Sequence, residues 1–128
     1  MRNIPTLKNY QDFQKVYSKR KSFANKYLIM YVLTTGQDVS RIGISVSKKV
    51  GNSIVRHRVT RLIRESFRLN RENLKKGVDI VVVARPQAKD QGFFEIEHAY
   101  LQLLRRFHLY EEPKASEPAK QEENYAPV

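Results

Sequence analysis

The chain has no cysteine. That excludes disulfide frameworks and thiolate zinc sites, and with them zinc knuckles and zinc fingers. Long apolar runs are missing as well. Residues 27–33 and 78–84, the latter broken by Asp79, are the longest, and both are far too short to cross a bilayer. The opening residues Met1, Arg2, Asn3, Ile4, Pro5 and Thr6 lack the apolar stretch of a secretion signal. A cytoplasmic protein without a membrane partner is expected. Neither G-x-G-x-x-G nor a loop ending in Gly-Lys-Ser/Thr occurs, which removes dinucleotide and P-loop nucleotide sites. Acidic residues are few: 13 Asp plus Glu stand against 24 Lys plus Arg, for a net charge of +11 at pH 7 and a pI near 10.0. This balance suits a polyanionic partner, nucleic acid above all. An anionic membrane surface fits less well, because the basic helix described below carries an ordinary core face and no Trp/Phe-rich insertion face.

What is present fits one domain. The 128 residues are 41% hydrophobic, enough for one core. Residues 1–8 read as a basic lead-in. Residues 9–19 read as a helix, with Tyr10, Phe13, Val16 and Tyr17 at helical spacing. Residues 27–33 form a buried strand, and Gly36, Gln37 and Asp38 a turn. Residues 41–47 alternate, with Ile42, Ile44 and Val46 on a core face and Arg41, Gly43, Ser45 and Ser47 on an open one. Gly51, Asn52 and Ser53 break that strand and cap a helix running to about Lys75 or Lys76, with Gly77 as its C-terminal cap. Residues 78–84 form another buried strand, and residues 93–108 the last helix. The expected fold is an α+β two-layer sandwich, a small mixed sheet with a βαβ crossover carrying the Arg-rich helix. Residues 111–128 hold five acids, two bases and three prolines, and read as a disordered acidic tail. Residues 1–110 are then a single domain suited to nucleic acid, at +14 once the tail's net −3 is set aside.

The helix after Asn52 has two faces. At about 100° per residue, Arg61, Arg64, Arg68 and Arg71 fall within an arc of about 80°, with His57 inside it. Val55, Val59, Leu62, Ile63, Phe67 and Leu69 gather on the opposite side. Solvated helix faces usually mix signs, since Glu–Lys pairs stabilise helices. Between Lys48 and Arg71, eight Lys or Arg accompany a single acid, Glu65. Such crowding of like charge calls for an anionic partner, and Arg suits planar, bidentate contact with phosphate. The candidate nucleic-acid contacts are Lys48, Lys49, Asn52, Arg56, His57, Arg58, Arg61, Arg64 and Arg68. Phe13, Tyr17 and Tyr31 are aromatics that stack on bases or pack in the core. Ser45 and Ser47, on the open face of residues 41–47, would complete a shallow groove beside them.

Residues 45–65, SVSKKVGNSIVRHRVTRLIRE, closely resemble the motif of the bacterial ribonuclease P protein component, with Gly51 and Asn52 at the turn and Arg56 and Arg58 as its paired arginines. The segments 12–17, 22–25 and 81–86 are similar to this family too, so the resemblance covers about residues 8–108. It departs at His57, where the family usually has Asn. The resemblance implies a cytoplasmic protein subunit bound to a large catalytic RNA. Together they remove the 5′ leader of precursor tRNA by hydrolysis, the RNA performing the chemistry with Mg²⁺ while the protein holds no firm cofactor, metal or catalytic residue. It further implies that the Arg-rich helix and turn bind the RNA, and that Phe13, Tyr17 and Tyr31 line a cleft for the single-stranded leader. No obligate protein partner is evident. Two other readings stay open: a ribosomal or RNA-assembly protein without a processing role, and a self-sufficient nuclease using His57.

Overall fold

The computed structural model describes residues 4–112. In chain order these form α1 (Tyr10–Ser18), β1 (Ser22–Ala24), β2 (Leu28–Thr34), β3 (Arg41–Ser45), α2 (Ser53–Leu69), β4 (Val78–Ala84) and α3 (Phe93–Arg106), with short 3₁₀ turns at Arg71–Asn73 and Pro86–Asp90. The sheet order is β1-β2-β4-β3. β1–β2 and β2–β4 are antiparallel, whereas β4 and β3 are parallel and joined through α2 as a βαβ unit. No helix among the described residues is long and apolar enough to cross a membrane. The proposed acidic tail lies, from residue 113 onward, outside the described residues.

The side-chain period of two decides what each face of the sheet meets. Leu28, Met30 and Val32 of β2, with Ile80 and Val82 of β4 and Ile42 of β3, face the main core. Val59, Ile63 and Phe67 of α2 and Ile96, Tyr100, Leu103 and Leu104 of α3 close over them. Each side chain so buried contributes roughly 1.5–3 kcal/mol. Burial also raises the Tyr100 phenol pKa. The sheet and the α2–α3 layer are the expected sandwich. α1 lies across part of the other face, where Leu7, Val16 and Val81 form a smaller core. β4 is therefore covered on both sides, which is why residues 80–84 read as a continuous apolar run. Its one acid, Asp79, is 3% exposed. Arg41 on β3 grips it through Nε (3.0 Å) and Nη2 (2.6 Å), with Asp12 of α1 3.7 Å from Arg41 Nη1. The hydrogen bond to Asp79 raises the Arg41 pKa.

Four expectations change. The stretch before Asn9 is not a free lead-in: Leu7 N–H donates to the Ile42 carbonyl (2.9 Å) and Ile42 N–H to that of Pro5 (3.1 Å), covering the outer edge of β3. β3 ends at Ser45, two residues short of the alternation. α2 ends at Leu69, well before Lys75, and Leu69 is exposed. Asn70 stops the helix by donating to the Ser66 carbonyl and to Glu97 of α3, both at 2.9 Å, and the chain bends so that Leu74 enters the core. Gly77 is consequently no helix cap. It has φ +84°, and its carbonyl accepts from Thr35 N–H (2.7 Å) across the turn that contains Gly36.

Candidate nucleic-acid interface

α2 starts at Asn52, whose side-chain oxygen accepts from Val55 N–H at 3.0 Å. The candidate contact Asn52 is thus the helix N-cap. Lys48 and Lys49 are exposed on the preceding turn, which buried Val50 pins to the core. Along the helix the arginines divide by partner. Arg56 Nε donates to the Gly51 carbonyl (3.2 Å). Arg58 reaches away to the loop before α3, donating to the Lys89 carbonyl (3.2 Å) and to that of Gln91. Arg68 is held by Glu65, with Nε 3.0 Å from Oε1 and a second bond from Nη2. This pairing lowers the Glu65 pKa and raises that of Arg68. Arg61 and Arg64 make no ion pair or side-chain hydrogen bond among the described residues. They border an open groove of about 430 Å³ with His57, Arg58, Leu62 and Glu65. An adjoining hollow of about 360 Å³ carries His57, Arg58 and Arg61 on to Ser53 and Ile54. Ile54 is 79% exposed, an apolar knob in a basic surface that helical patterning did not single out.

The second surface lies on the other face of the sheet. Phe13 of α1 rests on Gly43 of β3: a Cβ there would stand 2.7 Å from Phe13 Cζ and 3.0 Å from Leu7 Cδ1. The expected open face of residues 41–47 is therefore closed at Gly43, because the missing side chain is what admits the ring. Tyr17 meets Tyr31 of β2 edge to face, with centroids 4.9 Å apart, and stands 6.5 Å from Phe13. Burial raises the Tyr17 pKa, the adjacent Ser45 side chain partly offsets this, and Tyr31 adds to the rise.

α1 thus covers the row Gly43, Val81, Tyr31, and the next row, Ser45, Val83, Ile29, Ala24, runs across all four strands at its edge. Ser45, Val83 and Ile29 are half-buried and Ala24 is exposed. Ile29 and Val83 were absent from the expected groove because, as β-branched residues inside apolar runs, they read as core. Only the pairing register puts them beside Ser45. Ser47 sits beyond β3 on the turn, where its carbonyl accepts from Val50 N–H (3.0 Å) and its hydroxyl from Lys49 N–H (3.3 Å). The turn with Lys48 and Lys49 therefore joins the end of this row to the start of α2. Among the described residues no three His, Asp or Glu side chains come together in a metal-holding group.

Comparison with known proteins identifies relatives of the whole domain. The profile of the family described as Ribonuclease P matches residues 1–108. The ribonuclease P protein component of Alkaliphilus oremlandii is 51% identical over 109 residues, covering 85% of this chain and 96% of its own. That of Lachnoclostridium phytofermentans is 52% identical over 113 residues, covering 88% and 95%. The solved structure of the Staphylococcus aureus RNase P protein superposes with a TM-score of 0.77 at 34% identity, covering 84% of this chain and 99% of that one.

Proposed function

The chain belongs to the ribonuclease P protein component family, and on that premise we propose how its two surfaces take part in 5′ processing of precursor tRNA. As the protein component it works with the ribonuclease P RNA in an endoribonuclease complex. The α2 groove binds that RNA. Arg61 and Arg64 present guanidiniums to phosphate oxygens, His57 adds a hydrogen-bonding group, and Lys48 and Lys49 extend the charge along the turn. Because Val59, Ile63 and Phe67 lock the far side of α2 in the core, these groups are held in fixed relation before the RNA arrives. The leader of precursor tRNA lies extended along Ser45, Val83 and Ile29, with bases against Tyr17 and Tyr31. Two RNA segments are thus gripped on opposite faces of one sheet. The complex works in the cytoplasm, and the reading requires no further protein.

Mg²⁺ held by the RNA would supply charge stabilisation and an activated water at the scissile phosphodiester. We assign the metal and the bond-breaking step to the RNA and neither to a protein side chain. The protein's contribution is to bind and orient. The observation that carries this reading is the pair of guanidiniums, Arg61 and Arg64, that have no ion-pair partner among the described residues on a helix whose other side is core. The test incubates precursor tRNA with the protein, with and without the catalytic RNA, at low Mg²⁺. Cleavage at the 5′ end only with both components is expected. Cleavage by protein alone would instead make it a nuclease, and RNA binding with no effect on cleavage would make it an assembly protein.

A further inference from the structure

A second concentration of charge lies away from both surfaces, at the corner of the sheet where α1 and α3 end. The two helices lie on opposite faces, yet their last turns meet around the end of β2. β1 pairs with β2 only from Ser22↔Tyr31 to Ala24↔Ile29, so Leu33 and Thr34 have no β1 residue beside them. The notch so formed has a volume of about 310 Å³, with Lys19 and Lys21 on one side and Phe107 and Leu109 on the other. The Phe107 ring lies 4.6 Å from that of Phe23, over which the Arg106 guanidinium sits at 4.0 Å.

The backbone at both turns is unusual. Lys19 and Phe107 cap their helices, and the next residues, Arg20 and His108, have φ of 56° and 60°. Arg20 N–H donates to the Tyr17 carbonyl (3.0 Å), His108 N–H to that of Arg105 (3.0 Å), and Leu109 N–H to that of Leu104 (2.9 Å). Glycine is the residue that ordinarily ends a helix this way. Here large, exposed side chains hold the left-handed positions, and such strain points to a use for them. Lys19, Arg20, Lys21 and Arg106 have no ion-pair partner among the described residues, whereas the neighbouring Arg105 is matched by Glu112.

We propose that this notch is a second site for the catalytic RNA, in which a single-stranded stretch sets its phosphates against Lys19, Arg20 and Lys21 and a base against Phe107. The inference rests on the ribonuclease P reading above. Three consecutive cations beside an aromatic floor match a polynucleotide strand, which alternates charge with flat apolar surface. The leader is not the occupant, because its row at Ser45, Val83 and Ile29 is separated from Leu33 by the body of α1.

Cations at helix C-termini also offset the helix dipole, and the test separates the two roles. In the full chain, Arg20→Gly relieves the left-handed backbone. It should leave the melting temperature unchanged or higher while weakening affinity for the catalytic RNA. Lys19→Gln, Arg20→Gly and Lys21→Gln together should make log affinity less steep in log salt by about 2–3. A lowered melting temperature with unchanged affinity and slope would leave only the dipole role and overturn the proposal. A loss seen only with leader-bearing precursor would overturn the assignment to the catalytic RNA. Because the chain has no cysteine, an iron chelate tethered at Lys21→Cys reports position directly. It should cut the catalytic RNA at a strand different from the one cut from Arg61→Cys, and the absence of any such cut would overturn the site. If the unaltered protein fails to bind the RNA at all, the ribonuclease P reading fails first.

Discussion

Arg61, Arg64 and Arg68 share one stripe but not one chemical state. Arg68 is engaged by Glu65, while Arg61 and Arg64 face an open groove. Replacing Arg61 and Arg64 together by Ala should make the binding of catalytic RNA less steep in log salt by about 2, one for each lost phosphate contact. Arg68→Ala should change the slope by less than half as much, and filter binding over a salt series compares the two. The stripe was legible because helical period alone creates it. The capture of Arg68 was not, since Glu65 has Arg61 at i−4 and Arg68 at i+3, and spacing ranks neither above the other. That pair also has an acid dependence. Its folded-state Glu65 pKa lies below the ordinary value, so its stabilisation is present above the unfolded carboxylate pKa, about 4.3, and is lost as pH falls through the lowered folded value. The melting-temperature difference between the protein and Glu65→Gln, small because the pair is exposed, should therefore vanish at strongly acidic pH. At the other surface, Tyr17→Ala should weaken binding of leader-bearing precursor by about 1–3 kcal/mol per lost base stack and leave mature tRNA nearly unaffected. An unchanged ratio of the two affinities in a folded variant would place the leader elsewhere.

Elements were legible where one period runs uninterrupted. β4 was recognisable as a buried strand, and α1 and α3 matched their patterns within a residue or two. β1 escaped notice because three residues carry no periodicity. α2 was read too long because Gly77 stands where a C-terminal glycine cap would belong, whereas the Asn70 bonds stop the helix at Leu69. The groove was legible only in part, because Gly43 reads as open in the sequence and is filled by Phe13 in space. This packing makes a prediction at the level of α1 on its sheet. Gly43→Ala should cost about 1–3 kcal/mol, since its Cβ enters the Phe13 ring. Phe13→Leu should recover part of that loss, so a double-mutant cycle followed by chemical denaturation should show coupling between the two sites. Additive effects would mean that the ring does not determine how closely α1 approaches β3.

At the scale of the molecule, the charge proposed to meet RNA lies on α2, on the turn before it and at one corner of the sheet, while the leader row is uncharged. About six phosphate contacts predict that affinity for the catalytic RNA falls roughly 10³-fold from 50 to 200 mM salt, and a flat salt series would contradict the whole electrostatic picture. The strand order has a different consequence, one of timing. Among the described strands β4 alone joins β2 to β3, and it is the last of them to be synthesised. At roughly 5–20 residues per second, α2 is complete on the order of a second before the strand that closes the sheet beneath it. For that interval the newborn chain is an amphipathic polycation with its apolar side uncovered. A fragment ending before Val78 should show no cooperative melting by circular dichroism, because the strand that unites its halves has yet to be made.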